Sequence, residues 1–172
     1  MNHARALVFV SVLVASVGCD HASKYVAAAV LEPPRAISLV SGALRFELVY
    51  NAGAFLGLGA GLPPAVRTLL LGGLVPIGLL VLVAGVLRSA TATPFQLAAL
   101  GLIVGGGFGN WIDRILHDGH VTDFVSLGIG PLRTGIFNFA DVAVVGGMLA
   151  LLLASRGADR MDGAPHTASS PR

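Results

Sequence analysis

Four stretches of this chain approach the length and apolarity needed to cross a bilayer, and that feature removes most folds from consideration. About 20 apolar residues in a helix span roughly 30 Å of hydrocarbon. Backbone N–H and C=O groups in that layer find partners only within a helix or a closed barrel. The first stretch runs from about Arg5 to Val30, apolar through Val17 and then interrupted by Asp20, His21 and Lys24. The second runs from about Pro64 to Leu87, the third from Pro94 to about Ile112, and the fourth from about Ile136 to Ala154. Their lengths predict helices. The expected fold is an all-α polytopic membrane protein with four transmembrane helices, forming a single domain over residues 1–154. Residues 155–172, rich in Gly, Ala, Ser, Pro and alternating charge, read as a disordered tail.

Composition agrees with a lipid setting. Charged residues are 12% of the chain and hydrophobic ones 55%, against about 25% charged in soluble domains. The 23 glycines follow no triplet repeat. Gly101, Gly105 and Gly109 instead form a small-residue stripe at intervals of four, the pattern of a helix-packing seam. The formal charge of +2 is scattered, so there is no basic footprint for a nucleic acid. The one cysteine, Cys19, excludes an intramolecular disulfide.

An even number of spans puts both termini on one side and the segments 31–63 and 113–135 on the other. Arg5, Arg88, Arg156, Arg160 and Arg172 fall on the terminal side, against Arg35, Arg45, Arg114 and Arg133 opposite. The positive-inside rule therefore favours cytoplasmic termini by a narrow margin.

The polar residues gather at the face opposite the termini. Asp123 lies where a polar turn returns to apolar sequence, and Asp141 where the last apolar run begins, on either side of one short loop. Ionisable groups at such a boundary are costly and mark functional sites. Two carboxylates together suggest acid/base chemistry on water. Leu44 to Tyr50 alternate like a half-buried strand, predicting a small sheet at the membrane surface. That strand leads into Asn51-Ala52-Gly53, which in isolation reads as a turn. Asp20 and Lys24 share a helix face at i,i+4. Asn110, Asp113 and Arg114 do so at i, i+3 and i+4, and Asn138 and Asp141 are three apart. Any one cluster could be a cap, an ion pair or a solvated rim. Four of them at one face argue for a site.

Other chemistries are poorly served. His3, His21, His117, His120 and His166 are dispersed without an HExxH, so no metal site is expected. His120 reads as a loop residue. Ser23 and Lys24 are adjacent rather than helix-facing, and no Gly-x-Ser-x-Gly is present. Gly57, Gly59 and Gly61 lack the Gly-Lys-Ser/Thr of a phosphate loop.

Five motifs carry a resemblance: Asp20-His21-Ala22-Ser23-Lys24, Tyr50-Asn51-Ala52-Gly53-Ala54-Phe55, Gly106-Gly107-Phe108-Gly109-Asn110-Trp111-Ile112-Asp113-Arg114, Gly119-His120-Val121-Thr122-Asp123-Phe124 and Phe137-Asn138-Phe139-Ala140-Asp141. In this order, from about Asp20 to Gly147, they closely resemble the lipoprotein signal peptidases, or signal peptidase II. The resemblance implies a bacterial inner-membrane aspartic endopeptidase with cytoplasmic termini and a small extracytoplasmic β-cradle. It implies cleavage of a diacylglyceryl-prolipoprotein just before the lipidated cysteine, by a monomer embedded in membrane lipid and needing no metal or organic cofactor. Asp123 and Asp141 match the catalytic pair. Asn51, Gly53, Asn110, Arg114 and Asn138 match positions around substrate or catalytic groups, while Asp20, Lys24 and Asp113 match polar supports. His21 stands where the family often has glutamine, and the loop before Asp123 is slightly longer than in many members.

Two other readings compete. A proton-coupled transporter would also use intramembrane aspartates. An exported lipoprotein would have Met1 to Gly18 as signal peptide before Cys19, but Ser16 stands where a large aliphatic residue is expected, and three further apolar runs follow.

Overall fold

The computed structural model describes residues 3–162, with side chains through residue 155. Its frame is four helices: α1 (His3–Val30), α2 (Pro64–Arg88), α3 (Pro94–Leu116) and α4 (Phe139–Asp162). By length and composition, α1, α2 and α3 can cross a membrane, whereas the apolar part of α4, Phe139–Ser155, is shorter. Large apolar side chains lie on the outside, among them Leu7, Val14, Val81 and Leu153, as expected where lipid replaces water. Cys19 sits inside the continuous α1, so cleavage before it would remove the larger part of that helix. The structure thereby disfavours the lipoprotein reading.

The helix ends have local causes. Thr93 caps α3 reciprocally with Gln96: its hydroxyl accepts from Gln96 N at 3.2 Å, and its own N–H donates to Gln96 Oε1 at 2.8 Å. Pro94 follows at the position where a missing N–H costs nothing. At the other end of α3, Gly119 adopts φ +86 and its N–H returns to Arg114 O at 2.8 Å, turning the chain toward the sheet. The stretch Thr68–Leu74 of α2 is π-helical.

Four antiparallel strands lie at the end of the bundle where α1 and α3 finish: β1 (Ile37–Leu39), β2 (Leu44–Asn51), β3 (Val121–Ile129) and β4 (Leu132–Arg133), in the order β1-β2-β3-β4. Strand β2 falls where the alternation predicts it. The segment 113–135, which the sequence places between two spans with no element assigned to it, continues α3 to Leu116 and then forms β3 and β4. Helix α4 starts at Phe139 rather than Ile136, because Phe137 bridges to Val125 of β3. It extends to Asp162, past the Ala154 boundary, and residues 163–172 of the expected tail lie outside the described residues.

Glycines set the helix spacing. A methyl on Gly105 would stand 2.7 Å from Ser16 Cβ and 2.8 Å from the Leu13 carbonyl oxygen, so α1 and α3 touch backbone to backbone there. Gly101 meets Phe9 and Val12 of α1, and Gly109 meets Asp20, completing the predicted seam. On the other side of α3, Gly106 faces Ala140 and Val144 of α4. We expect Gly105→Val to force α1 from α3 and lower the unfolding temperature in detergent, since overpacking costs about 1–3 kcal/mol or more. Gly78→Ala, which meets nothing within 4 Å, should leave it unchanged or higher. Equal melting of both variants would show that the seam is loose.

Candidate active site

Asp123 and Asp141 come together through backbone geometry. Val125 N donates to Phe137 O at 2.9 Å and Phe137 N returns to Val125 O at 2.8 Å. That bridge fastens β3 to the residue just before the first turn of α4. Asp123 stands two residues before the bridge and pairs with Val49 of β2, beside an irregularity in register between Phe46 and Val49. Asp141 lies in the first turn of α4, and Asn138 caps that helix. Asp141 N donates to Asn138 Oδ1 at 3.0 Å, and Asn138 N donates to Asp141 Oδ2 at 3.2 Å, a reciprocal cap with the carboxylate near the positive helix end.

Three asparagine amides hold the two carboxyl groups. Asn138 Nδ2 donates to Asp123 Oδ1 at 2.6 Å, and Asn51 Nδ2 donates to Asp123 Oδ2 at 2.9 Å. Asn110 Nδ2 donates to Asp141 Oδ1 at 3.0 Å. Asn138 Nδ2 also reaches Asn110 Oδ1 at 3.0 Å, so the amides form one chain linking both acids. Asp123 is 1% exposed and Asp141 7%. Burial pushes the Asp123 carboxyl up from its ordinary 3.8 to about 6, the Asn51 and Asn138 donors working against that rise and nearby Asp141 adding to it. Asp123 therefore holds its proton more tightly folded than unfolded. Its contribution to stability is lost as pH rises through the window from 3.8 to about 6.

Behind this pair lies a second buried cluster. Lys24 Nζ stands 2.7 Å from Asp20 Oδ2, 3.1 Å from Asp113 Oδ2 and 3.1 Å from Asn110 Oδ1. The remaining Asp20 oxygen accepts from Ala140 N at 3.0 Å, and Asp113 Oδ2 accepts from Thr122 N at 2.7 Å. Ala140 and Thr122 each precede one of the candidate acids. His117 and His21 approach the other Asp113 oxygen at 3.7 and 4.0 Å.

All of the site residues expected from sequence thus gather at one end of the bundle, in two layers. Arg114 Nη2 donates to Gly53 O at 2.7 Å and its Nη1 to Asn110 O at 3.1 Å. Gly53 N donates to Asn51 Oδ1 at 2.8 Å, so Asn51 makes a turn and also holds Asp123. A methyl on Gly53 would fall 2.7 Å from Leu58 O, which explains the glycine. Asn51, Gly53, Asn110, Arg114, Asp123 and Asp141 line one small polar pocket. Asn138 is buried behind it. Sequence reasoning missed the amides of Thr122 and Ala140, which no side-chain pattern announces. It also missed His117, three residues beyond the Asn110–Arg114 motif and on the same helical face as Asp113.

Removing the cation of the second layer leaves Asp20 and Asp113 facing each other without compensation. Breaking a buried pair in this way costs about 3–5 kcal/mol. Lys24→Met should therefore yield little folded protein or melt many degrees lower, read by thermal unfolding in detergent. Wild-type melting would show that the cluster bears no structural role.

Comparison with known proteins shows what the chain is similar to. The family described as Signal peptidase (SPase) II matches residues 12–156. A protein named Lipoprotein signal peptidase from Streptomyces griseus is 32% identical over 168 residues, covering 94% of this chain and 80% of its own. One of the same name from Mycobacterium tuberculosis is 33% identical, covering 88% and 72%. Among solved structures, a bacterial membrane enzyme determined by the in meso method at 2.3 Å resolution superposes with TM-score 0.75 at 25% identity, over 95% of this chain and 94% of that one.

Proposed function

The chain belongs to the signal peptidase II family and removes signal peptides from prolipoproteins, and on that premise we propose that it does so as an aspartic endopeptidase whose catalytic pair is Asp123 and Asp141. The observation that carries this reading is the chain of asparagine amides holding two buried carboxyl groups in one pocket. Two such carboxyls do not readily both ionise, and a shared proton leaves one as base and the other as acid. The ionised partner takes a proton from a water molecule as that water attacks the scissile carbonyl carbon. The protonated partner gives its proton to the carbonyl oxygen. On collapse of the tetrahedral adduct, a proton passes to the departing amide nitrogen and the pair returns to its starting state. The apparent pKa values belong to the pair.

Arg114 and the pocket face of Asn51 and Asn110 orient peptide carbonyls of the substrate. The substrate is a prolipoprotein bearing diacylglyceryl on the cysteine after the cleaved bond, with the lipid remaining in the bilayer. The chain is a monomer of the bacterial inner membrane. Its four helices all cross the bilayer, with termini in the cytoplasm and the pair near the extracytoplasmic face. The balance of arginines supports that arrangement. The proton-carrier alternative has no support among the relatives, which are named as peptidases.

Asp123→Asn and Asp141→Asn keep the shape of the side chain but cannot exchange the proton. Each should lower cleavage of a diacylated prolipoprotein by about 10²–10⁴-fold or more, with helical circular dichroism unchanged. Near-wild-type turnover in either would remove the pair from the mechanism. A second expectation concerns pH. Loss of the shared proton shuts off the acid, so kcat/KM should fall on the alkaline side with a midpoint near the value of about 6 that burial gives Asp123. A rate flat from about pH 5 to about pH 9 would exclude an acid role for this carboxyl.

A further inference from the structure

A cavity of about 400 Å³ lies between the outer ends of α2 and α3 and shares Arg114 with the small pocket of the aspartates. Its walls divide by chemistry. Arg67 and Arg114 bring guanidinium groups, and Thr68 a hydroxyl. Leu71 and Ile115 supply an apolar side, and Ile115 is exposed on the outside of α3. Trp111 closes the wall, its Nε1 donating at 3.1 Å to Gly72 O within the π-helical stretch of α2. π-Helical insertions concentrate at functional sites, and Trp favours the boundary between hydrocarbon and head groups.

The polar groups are mainly donors. The Arg114 Nε is buried without a partner among the described residues. Arg67 donates once, from Nη1 to Ala60 O at 3.1 Å, and its guanidinium carries further N–H groups. The occupant must therefore offer acceptors. Asp118 also lines the cavity and offsets one of the two guanidinium charges, which lessens the pull on an anionic phosphate and makes neutral acceptors a sufficient match. The apolar wall of Leu71 and exposed Ile115 suits acceptors attached to hydrocarbon chains.

We infer that this cavity binds the glyceryl ester carbonyls of the substrate's lipidated cysteine, with Arg67 as the residue that recognises them and the acyl chains leaving past Leu71 and Ile115 into the bilayer. The inference rests on the proposed diacylglyceryl-prolipoprotein substrate and assigns a place to its lipid. Arg114 sits between the two pockets, so ester binding on one side would set the peptide bond against Asp123 and Asp141 on the other. Arg67 is a positioning residue in this scheme and touches no reacting atom.

The test compares two synthetic substrates of identical peptide sequence, one with diacylglyceryl and one with dialkylglyceryl, in which ether links replace the ester carbonyls. The purified full chain in detergent should show a KM roughly tenfold higher for the diether, the size of one lost charge-assisted hydrogen bond, with little change in kcat. Arg67→Gln should raise KM for the diester by a similar factor and leave the diether unaffected. Equal KM values for both substrates with the wild-type chain, a comparison that needs no variant, would overturn the inference. So would a KM effect of Arg67→Gln that is the same for both lipids or follows only the residues after the cysteine. Cleavage of neither substrate by the wild-type chain would instead fail the reading on which the inference rests.

Discussion

The structure depends on a lysine buried among acids inside a helical bundle. Lys24, 4% exposed, directs its ammonium at Asp20, Asp113 and Asn110, which accounts for its three donors. Burying these charges is no source of net stability, because their desolvation offsets much of their attraction. What the cluster supplies is placement. Asp20 belongs to α1 and reaches the Ala140 amide of α4, while Asp113 belongs to α3 and reaches the Thr122 amide of β3. The two elements that carry Asp123 and Asp141 are therefore each held, one residue away, by an oxygen of the same ion cluster. Gly109 belongs to this arrangement too, since a methyl there would lie 2.6 Å from Asp20 Oδ2.

Much of this was legible in the sequence, for two physical reasons. The helices announce themselves because lipid demands long apolar runs. Their polar faces announce themselves because i,i+3 and i,i+4 spacing places Asp20 with Lys24, and Asn110 with Asp113 and Arg114. Strand β2 was legible from its alternation. Strand β3 was not, because it is buried through Val121, Thr122, Asp123 and Phe124 and so lacks the alternation of a half-buried strand. Polar residues buried on hydrogen bonds disguise it as a loop. The start of α4 was misjudged for a related reason. Ile136 and Phe137 are apolar like the helix that follows, but Phe137 belongs to the bridge with Val125, and the cap falls on Asn138. The amides of Thr122 and Ala140 were invisible, since any non-proline residue can supply an N–H.

The choice of asparagine around the pair has a physical reason. A carboxyl group buried at this depth needs hydrogen-bond donors, and lysine or arginine would supply them together with a full charge. A cation in direct contact would favour ionisation of both acids and expel the shared proton. Amide groups from Asn51, Asn110 and Asn138 donate without net charge, so they fix the geometry and favour ionisation of the acids less than a cation in direct contact would. Lys24 stands one layer back, touching the amide oxygen of Asn110 whose nitrogen donates to Asp141. It polarises that amide while its own charge is opposed by Asp20 and Asp113.

The formal charges of the residues that support the pair cancel. Lys24 and Arg114 carry two positive charges, and Asp20 and Asp113 carry two negative ones, so the supports are neutral together. The pair Asp123 and Asp141 is left to set its own charge: one negative with a shared proton, two without it. In a site this deeply buried, a second negative charge would stand beside the first with no cation to balance it, so ionisation of both acids is disfavoured. Loss of Lys24 alone adds an uncompensated negative charge beside the pair, disturbing its proton as well as its position.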